Sequence, residues 1–538
     1  MRPPLARTLH DLLEEQAAAR PDAPAVISAG RSVSYASLAA RARAVAAALR
    51  ARGFAHGERV GLLMNNRVES LEALFGASAA GAVIVPFSTW STRQELDFLL
   101  ADSGVRTLFA MPGFGKEDFA ESLGALIPEA AQSNSWRSAR FPALRELVMV
   151  GGDASRGWLD YEALLSAAPA MAPLPPGEAA GAGDDGIVLY TSGSTSKPKA
   201  VRLIQHGIVE NGFNIGERQG LLPEDRVLAA IPLFWAYGAV NALPATFGHG
   251  ATLVLQSRFE PGEALNLIER HRCTSIYTLP AMTAALVRHP AFRPERTRSL
   301  RKGLTIGAPQ DVVAAAQLLG AAQVSNIYGA SETYGNCCVT PHDWPLELRS
   351  TCQGPPLPGV RLRIVDPETG EELGRGRPGL IEVTGYLMRG YGGASAEHNA
   401  SVFTADGWFR SGDIGQLDEE GRVQFLGRSG EMIKRSGINV SPAEVEDALM
   451  QHPAVSQAGV VGVPDAEKGE LIVAFVVPKP DAALGAQELV AHCRAVASAY
   501  KVPDRIEIRA ALPTTVTGKL LRRSLKDEAA ALPPGNKA

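Results

Sequence analysis

The 538-residue chain has 53 Lys+Arg and 57 Asp+Glu residues, a formal net charge of −4. With 46% hydrophobic and 20% charged residues its composition is that of a globular protein and excludes a disordered or fibrous chain. The near balance of charges gives no electrostatic attraction to nucleic acid or to an anionic membrane, so neither is an expected partner.

The cysteines and the N-terminal residues indicate in which cellular compartment the protein is expected. Five cysteines without C-x-x-C spacing predict reduced thiols rather than a disulfide framework. The first residues include acids where a secretory signal needs an apolar core, and the longest nearly apolar run (73–87) is shorter than the roughly 20 residues of a membrane-spanning helix. We therefore expect a cytoplasmic protein.

Amphipathic helices and buried strands alternate along the first part of the chain. Residues 37–53 place apolar side chains at helical spacing and end on Gly53, which is typical of a helix terminus. Further predicted elements are strands at 59–64, 82–87, 187–190, 253–255 and 275–279, and helices at 68–80, after His206 and at 265–271. This alternation is typical of parallel sheets covered by helices on both faces.

The pattern changes in the last third of the chain. From Gly359 four short segments bounded by turn residues (VRLRIVDPETG, GLIEVTG, DGWFRSGDIG, EEGRVQFLGR) predict a β-rich subdomain that begins at about residue 355. Earlier in the chain, a Pro/Gly/Ala linker at 173–185 precedes one apolar strand. The final stretch, after Gly427, is long enough to form a separate α+β domain.

The most informative segment is YTSGSTSKPK, from Tyr190 to Lys199, where a strand opens into a loop of hydroxyl side chains with one glycine and two lysines. Exposed backbone N–H groups, hydroxyls and ammonium groups suit a polyphosphate. The loop departs from the GxxxxGK[ST] pattern because Pro198 stands where the second glycine would be. By itself it is equally consistent with a solvated turn.

The full string resembles the phosphate-loop signature of the acyl-adenylate-forming enzymes: acyl-CoA synthetases, peptide-synthetase adenylation domains and beetle luciferases. Ser196 and Ala200 replace two usual glycines and are small enough to keep the path of the loop. Further segments resemble the family's motifs in the family's order, from about Leu9 to Arg523: GAP (307–309), IYGASET (327–333), WFRSGD (408–413), GRSGEMIKRSG (427–437) and PTTVTGKLLRR (513–523).

The resemblance implies nucleotide contacts. These are Thr191, Ser192, Gly193, Ser194, Thr195, Lys199, Gly307, Ala308, Pro309, Asn326, Tyr328, Asp413 and Arg428. In this assignment Tyr328 stacks on adenine, and Asp413 with Arg428 holds the ribose, since a carboxylate accepts hydrogen bonds from two neighbouring hydroxyls. Glu332 coordinates Mg²⁺, the hard cation that carboxylates prefer.

The catalytic residues implied are Lys519, Glu332, Ser331 and Thr191. The family joins a carboxylate to AMP with release of pyrophosphate and then transfers the acyl group to a thiol; Lys519 serves the first step, and Lys434 and Gly437 the second. Without the resemblance, Glu332 is better explained as a helix-start acid and Lys519 as surface charge. The cofactors implied are ATP, Mg²⁺ and coenzyme A, and the histidines lack the spacing of a further metal site.

The implied fold class is α/β: a large N-terminal portion of two α/β sheets plus a β-rich subdomain, with a small mobile α+β C-terminal domain. We predict an N-terminal AMP-binding domain at 1–427, a hinge at 428–430 and the C-terminal domain at 431–538. Gly430 replaces the Asp or Lys usual at the hinge, which removes a side-chain anchor but leaves wide backbone freedom.

The segments expected to line the acid pocket contain aromatic and apolar side chains and no lysine or arginine. The substrate-binding residues expected there are Phe213, Trp235, Tyr237, Ile306, Gly329 and Tyr334. Such a lining favours a medium-chain, alicyclic or aromatic monocarboxylic acid. Each aromatic is equally consistent with a place in the core.

Coenzyme A is the expected acceptor, because residues 524–538 are too few for a fused carrier domain. The alternative is an enzyme that loads a separate carrier protein, and a catalytically silent acyl-adenylate-binding protein is disfavoured by the presence of Lys519, Glu332 and Asp413. A luciferase-like oxygenase is also disfavoured, since the peroxisomal ending common in that branch is missing. The oligomeric state is left open, with a homodimer among the options.

Overall fold

The computed structural model describes residues 2–131, 135–152, 157–169, 179–191, 198–435, 438–465, 468–480, 482–497, 501–515 and 520–532. The described chain divides into two compact units. The first comprises Met1–Arg361 and Val383–Phe409, and the second comprises Leu362–Glu382 and Arg410–Ala538.

Helices and strands alternate through most of the described chain. The helices are α1 (Leu9–Ala19), α2 (Tyr35–Ala51), α3 (Val68–Ala79), α4 (Arg93–Ser103), α5 (Phe119–Leu126), α6 (Tyr161–Ser166), α7 (Gln205–Gln219), α8 (Leu243–Gly248), α9 (Pro261–His271), α10 (Pro280–Arg288), α11 (Pro294–Thr297), α12 (Pro309–Gln317), α13 (Leu346–Thr351), α14 (Ala396–Ser401), α15 (Pro442–Met450), α16 (Ala486–Val496) and α17 (Arg522–Ala531).

The strands are mostly short and belong to several sheets. They are β1 (Pro24–Ser28), β2 (Arg31–Ser34), β3 (Arg59–Leu63), β4 (Val83–Pro86), β5 (Thr107–Ala110), β6 (Gly113–Phe114), β7 (Glu117–Asp118), β8 (Glu146–Met149), β9 (Leu159–Asp160), β10 (Asp185–Thr191), β11 (Lys199–Ile204), β12 (Arg226–Ala229), β13 (Thr252–Leu255), β14 (Ser275–Tyr277), β15 (Lys302–Thr305), β16 (Gln323–Tyr328), β17 (Cys338–Val339), β18 (Arg361–Val365), β19 (Gly379–Thr384), β20 (Tyr391–Gly392), β21 (Phe409–Leu417), β22 (Val423–Arg428), β23 (Ile433–Arg435), β24 (Ile438–Val440), β25 (Val455–Asp465), β26 (Gly469–Pro478) and β27 (Arg505–Ile508).

Two eight-stranded sheets form the frame of the first unit. One has the order β17-β16-β15-β14-β12-β13-β1-β2 and is parallel except at its two edge pairs. The other has the order β20-β11-β10-β4-β3-β5-β8-β9 and is parallel from β10 to β9. Helices pack on these sheets through buried aliphatic side chains, as where Leu265 and Ile268 of α9 contact the cluster that contains Leu228 and Ile276.

A glycine allows close helix packing beside the second sheet. A Cβ atom at Gly76 in α3 would lie 2.5 Å from Val45 Cβ and 2.6 Å from the backbone oxygen of Ala42 in α2. The absence of a side chain at Gly76 therefore sets how near these two helices lie.

The second unit contains most of a four-stranded sheet, β18-β19-β21-β22, and a five-stranded sheet in which β27 pairs with β26 beside β24-β23-β26-β25. Side chains alternate across β25 and β26, as strand geometry requires. Val460 and Ile472 belong to the core under α15 and α16, whereas Val461 and Phe475 pack with Leu525 of α17.

The predicted fold class is confirmed: two α/β sheets, a β-rich region and a small α+β portion are all present. The helix predicted at 37–53 is α2, and Gly53 beyond its end has a φ of +73°. The four turn-bounded segments form β18, β19, β21 and β22. Residues 173–178 of the predicted linker lie outside the described residues, and the hinge predicted at 428–430 lies within the second unit and stays a prediction.

All five cysteines lie in the described part of the chain, and none is joined in a disulfide, as predicted. Burial raises the pKa of the Cys273 thiol to about 12. Among the described helices, none has the length and apolar content that crossing a membrane requires.

A buried ion pair connects the amino-terminal ends of β12 and β15. Lys302 Nζ lies 2.7 Å from Asp225 Oδ2, and the two side chains are only 7% and 0% exposed. Thr274 Oγ1 donates a hydrogen bond of 2.6 Å to Asp225 Oδ1. Burial favours the neutral acid, but the hydrogen bonds from Lys302 and Thr274 outweigh it and hold the pKa of Asp225 below its usual value.

We expect Asp225→Asn to lower the free energy of unfolding at pH 7 by about 3 kcal/mol, because it leaves the Lys302 ammonium buried without a countercharge. Urea denaturation followed by tryptophan fluorescence measures this loss. The folded pKa lies below the unfolded value of about 3.9, so the pair stabilises the protein above that pH and ceases to do so as the pH falls through the folded pKa. The difference between variant and wild type therefore shrinks in acid.

Asp97→Asn is the matched control, since Asp97 pairs with Arg140, whose side chain is 60% exposed. Exposed ion pairs contribute little to stability because solvent and salt screen them, so we expect Asp97→Asn to lower the free energy of unfolding far less than Asp225→Asn. Equal losses from the two variants would contradict the importance of burial at Asp225.

Candidate functional site

The candidate site begins where the parallel strands of the first sheet end. Because β12, β14, β15 and β16 run parallel, the loops after their carboxyl ends lie at one edge of the sheet. The chain passes from β12 to β13 on one side and resumes at β14 on the other, and such a reversal leaves a crevice where α/β sheets bind ligands.

The turn after β16 presents two of the predicted residues. Tyr328 ends the strand and is nearly buried, and Ser331 and Glu332 are half-buried in a single 3₁₀ turn at Ser331–Thr333. A Cβ atom at Gly329 would lie 2.4 Å from the backbone oxygen of Gly335, so the turn closes tightly only with glycine there.

Glu332 is hydrogen-bonded to a residue that the sequence analysis missed. Tyr391 donates from its hydroxyl to Glu332 Oε1 over 2.8 Å, and the ammonium of Lys199 lies 4.9 Å from the centre of the Tyr391 ring. Thr191 and Lys199 face each other in the β10–β11 ladder, and Val201 pairs with Tyr391. The structure thus joins the two ends of the phosphate loop to the Glu332 turn.

The GAP segment lies at the start of α12. Asp311 Oδ2 accepts a hydrogen bond of 3.0 Å from the N–H of Ala308, and a Cβ atom at Gly307 would collide with this carboxylate. Burial raises the pKa of Asp311, although the hydrogen bond from Ala308 opposes the change. Pro309 occupies the first turn of the helix and is exposed. The segment therefore has a fixed backbone and only small side chains.

Asn326, predicted to contact the nucleotide, is fully buried within the sheet. Its Nδ2 donates to the backbone oxygen of Cys352 over 3.1 Å, and its Oδ1 accepts from the N–H of Ile327 over 2.9 Å. The side chain thus holds β16 against the segment at Cys352, and its assignment to the nucleotide stays a prediction.

The predicted ribose pair lies in the second unit, where the structure brings its two members together. Asp413 faces Arg428 in the β21–β22 ladder, and Arg428 Nε lies 3.0 Å from Asp413 Oδ1. The Asp413 side chain is 3% exposed and that of Arg428 is 53% exposed. Ser411 Oγ accepts from the N–H of Asp413 over 3.1 Å and donates to the backbone oxygen of Ile381. The backbone at Asp413 is therefore anchored, and its carboxylate is nearly buried beside Arg428.

Three aromatic side chains cluster at the carboxyl end of β12. The ring of Trp90 packs edge-on against Phe234 at 5.2 Å and against Trp235 at 5.1 Å between centroids. Asn66, which is buried, donates to the backbone oxygen of Ile231 over 2.9 Å and accepts from the N–H of Leu233 over 2.9 Å. These bonds fix the loop that carries Trp235.

Sequence reasoning missed Trp90 and Asn66, which come from loops of the second sheet, as it missed Tyr391. The only local signal at Tyr391 is an aromatic residue between two glycines, which is common in turns. Contacts between distant segments are needed to identify all three.

The other predicted acid-pocket residues occupy different environments. Tyr237 donates to the backbone oxygen of Thr278 over 3.4 Å, and Ile306 is 41% exposed just after β15. Phe213 instead stacks on His249, with ring centroids 4.9 Å apart, and the Tyr334 hydroxyl accepts from the N–H of Ile204 over 3.1 Å. Both of these side chains serve packing, and their assignment to the acid stays a prediction.

Several predicted residues lie outside the described residues. They are Ser192, Gly193, Ser194, Thr195, Gly437 and Lys519, together with the side chain of Lys434.

A nucleotide-borne Mg²⁺ needs only one or two protein carboxylates, with phosphate and water oxygens completing its shell. Glu332 meets this need, since Oε1 is oriented by Tyr391 and the residues the structure describes provide no partner for Oε2. Across the same described residues there is no cluster of three or more His, Cys, Asp or Glu side chains that could hold a metal alone. The donor set therefore fits a cation that arrives with a nucleotide.

Comparisons with known proteins cover nearly the whole chain. The model of the AMP-binding enzyme family matches residues 13–392, and the model of the AMP-binding enzyme C-terminal domain matches residues 444–519. A feruloyl-CoA synthase from Amycolatopsis sp. is 35% identical over 94% of this chain and 96% of the relative. A sulfoacetate–CoA ligase from Cupriavidus necator is 31% identical over 98% and 99%.

Among solved structures, an anthranilate CoA ligase in complex with anthranoyl-AMP superposes with a TM-score of 0.84. It is 26% identical and is matched over 98% of this chain and 99% of its own.

Proposed function

This chain belongs to the AMP-binding enzyme family and is an ATP-dependent acyl-CoA synthetase, and we propose that its acid is a monocarboxylic acid with a neutral tail, aromatic, alicyclic or of medium chain length. The observation that carries this choice is the Trp90–Phe234–Trp235 cluster at the carboxyl end of β12. Aromatic side chains there favour an apolar tail. The relatives alone leave the choice open, because the names of two of them point to a phenolic acid and to a sulfonated acid.

In the first half-reaction the carboxylate attacks the α-phosphorus of ATP, pyrophosphate leaves, and acyl-AMP forms. We assign Thr191 and Lys199 to the departing phosphates and Ser331 to the α-phosphate. A hydroxyl and an ammonium group placed beforehand stabilise the charge that develops there, and no covalent bond to the protein is required.

Base and sugar are assigned to separate elements. Tyr328, at the end of β16, offers an aromatic face to adenine, beside the small side chains of the GAP segment. Asp413 accepts from the ribose hydroxyls, and the adjacent Arg428 guanidinium pairs with this carboxylate at 3.0 Å.

Magnesium, when bound with the nucleotide, neutralises phosphate charge and makes pyrophosphate a better leaving group. Glu332 is the residue of this chain that we assign to it. Ser331 precedes Glu332 in the same turn, so that turn contacts the α-phosphate at one residue and holds the cation at the next.

In the second half-reaction the thiol of coenzyme A attacks the acyl carbon and AMP leaves. We propose that a rearrangement at 428–430 withdraws Lys519 and brings Lys434 and Gly437 to the thiol. Glycine at position 430 allows a wide range of backbone dihedral angles, and an added Cβ atom there would meet nothing within 4 Å. ATP and coenzyme A are cytoplasmic reagents, and we place the reaction there.

The direct test incubates purified protein with ATP, Mg²⁺, coenzyme A and a panel of acids and measures AMP and acyl-CoA. We expect neutral-tailed acids to exceed dicarboxylic or sulfonated acids of equal length by about 100-fold in kcat/KM, since burying an uncompensated charge costs about 3 kcal/mol or more. A preference for the doubly charged acids would contradict the proposed acid. AMP release only with a carrier protein would contradict coenzyme A as acceptor.

Trp235→Ala gives a sharper test of the acid pocket. We expect the ratio of kcat/KM between a bulky and a compact aromatic acid to rise about 10-fold, because the deleted ring leaves space for the larger tail. Competition between the two acids, followed by mass spectrometry of the acyl-CoA products, measures this ratio directly. An equal loss for both acids would show that Trp235 supports the fold rather than contacting the acid.

A further inference from the structure

Tyr391 lies between a carboxylate and an ammonium group, and it contacts them through different parts of its side chain. Its hydroxyl donates to Glu332 Oε1 over 2.8 Å. Its ring face receives Lys199, whose Nζ lies 4.9 Å from the ring centre. One aromatic side chain thus contacts both the carboxylate of Glu332 and the ammonium group of Lys199.

The surrounding backbone holds Tyr391 in this place. Asn399 Oδ1 accepts from the N–H of Tyr391 over 2.7 Å, and Asn399 Nδ2 donates to the backbone oxygen of Tyr391 over 3.1 Å. On the opposite side, Tyr391 pairs with Val201 in the ladder between β11 and β20. The side chain is nearly buried. The backbone position of Tyr391 is therefore set by contacts within the fold.

A phenol hydroxyl suits this place because it is a neutral donor. Its hydrogen bond fixes the rotation of a carboxylate without cancelling the negative charge that a cation requires. A lysine bound directly to Glu332 would neutralise that charge. The ring instead holds the ammonium through a cation–π contact, which costs little to leave when phosphates provide full negative charges.

We propose that Tyr391 is a positioning residue of the phosphate end of the site: its hydroxyl orients Glu332 toward nucleotide-borne magnesium, and its ring keeps Lys199 apart from Glu332 and available to the phosphates. This inference rests on the proposed function, which assigns Glu332 to the cation. It adds a residue from outside the sequence motifs, 59 positions beyond Glu332, to the binding of that cation.

The test removes the hydroxyl alone with Tyr391→Phe and removes hydroxyl and ring face together with Tyr391→Leu. We expect Tyr391→Phe to weaken Mn²⁺ binding to the protein–nucleotide complex about 10-fold, as loss of partners that orient metal ligands usually does, and to raise the Mg²⁺ concentration for half-maximal pyrophosphate exchange by the same factor. Electron paramagnetic resonance of Mn²⁺ with a non-hydrolysable ATP analogue measures binding without turnover.

Tyr391→Leu tests the second part of the proposal. With the ring removed, Lys199 is expected to pair with Glu332, so that KM for ATP at saturating Mg²⁺ rises about 5-fold beyond that of Tyr391→Phe. Equal KM values in the two variants would overturn the role of the ring.

Tyr386→Phe is the matched control, because it deletes a phenol hydroxyl from the same segment whose partner is Glu210. It should leave Mn²⁺ affinity unchanged. Unchanged Mn²⁺ affinity in Tyr391→Phe, or an equal weakening in Tyr386→Phe, would overturn the proposal. Failure of the proposed function appears separately, as a wild-type protein that releases no AMP with any acid although Mn²⁺ and nucleotide bind.

Discussion

Replacement of Lys519 by alanine is expected to reduce acid-dependent pyrophosphate exchange by about 1000-fold, while the transfer of a supplied acyl-AMP to coenzyme A keeps most of its rate. The first half-reaction brings a carboxylate anion against a phosphate anion, and a single ammonium group between them offsets this repulsion. In the second half-reaction the thiol attacks the acyl carbonyl carbon of acyl-AMP and AMP leaves, so no carboxylate has to approach a phosphate and this need for an ammonium group does not arise.

The position of Lys519 in the chain supports this expectation. It stands in the T-G-K sequence of the motif at 513–523, in the part of the chain that the model of the C-terminal domain matches. Measuring isotope exchange from pyrophosphate into ATP, and separately the thioester formed from synthetic acyl-AMP, isolates the two half-reactions.

Lys526→Ala is the matched control, since Lys526 lies in α17 soon after the motif, and its side chain is half exposed and 3.7 Å from Glu470. Its removal should change either rate by less than about 2-fold. A Lys519→Ala variant that loses both half-reactions equally would contradict the assignment of Lys519 to one of them, and so would a Lys526→Ala variant as defective as Lys519→Ala.

Local pattern predicts several of the elements, because hydrophobic period and helix or strand terminators are local properties. The apolar spacing of residues 37–53 and the final glycine are sufficient to place α2, and the turn residues that bound DGWFRSGDIG are sufficient to predict β21. The order of the strands in the sheets cannot be predicted in this way, because it depends on contacts between distant segments. Nothing near Lys199 indicates that its strand pairs with Tyr391–Gly392, and so Tyr391 was missed.

Local sequence pattern also could not predict which aromatic side chains are buried in the core. Tyr334 is buried because Gly207 has no side chain: a Cβ atom there would lie 2.5 Å from Tyr334 Cζ. Phe213 is covered by His249, which comes from the end of a different helix. Residue type alone therefore left each aromatic open to either a pocket or the core, and the structure shows packing roles for these two.

The sequence motifs that contain Asp413 and Arg428 predicted a pair that the strand register of the structure brings together. Both residues were assigned from short strings 15 positions apart, and the antiparallel register of β21 and β22 places them opposite each other. The turn sets the pairing of Leu417 with Val423, and a register shift between Ile414 and Gly415 then places Asp413 opposite Arg428. The geometry of this pair therefore depends on nearby sequence, but not on the turn alone.

Asp413→Ala should lower kcat/KM for ATP by about 1000-fold. Two hydrogen bonds from ribose hydroxyls to a charged carboxylate contribute about 4 kcal/mol together, and each 1.4 kcal/mol is a factor of ten. Since the ribose does not react, most of the loss should appear in KM rather than in kcat. Asp413→Asn keeps one acceptor oxygen and should lose about 30-fold. Pyrophosphate exchange at varied ATP concentration measures both variants.

Asp418→Ala separates this effect from disruption of the hairpin. Asp418 follows β21 and pairs with Arg422 across the turn that leads to β22. Asp418 belongs to the same hairpin as Asp413 but lies outside the assigned nucleotide site. Removal of its carboxylate should therefore leave KM for ATP unchanged. If Asp418→Ala raised KM as much as Asp413→Ala, the hairpin's stability rather than a ribose contact would explain both results. A defect specific to Asp413, largest in the alanine variant and smaller with asparagine, follows only from acceptor oxygens that meet the nucleotide.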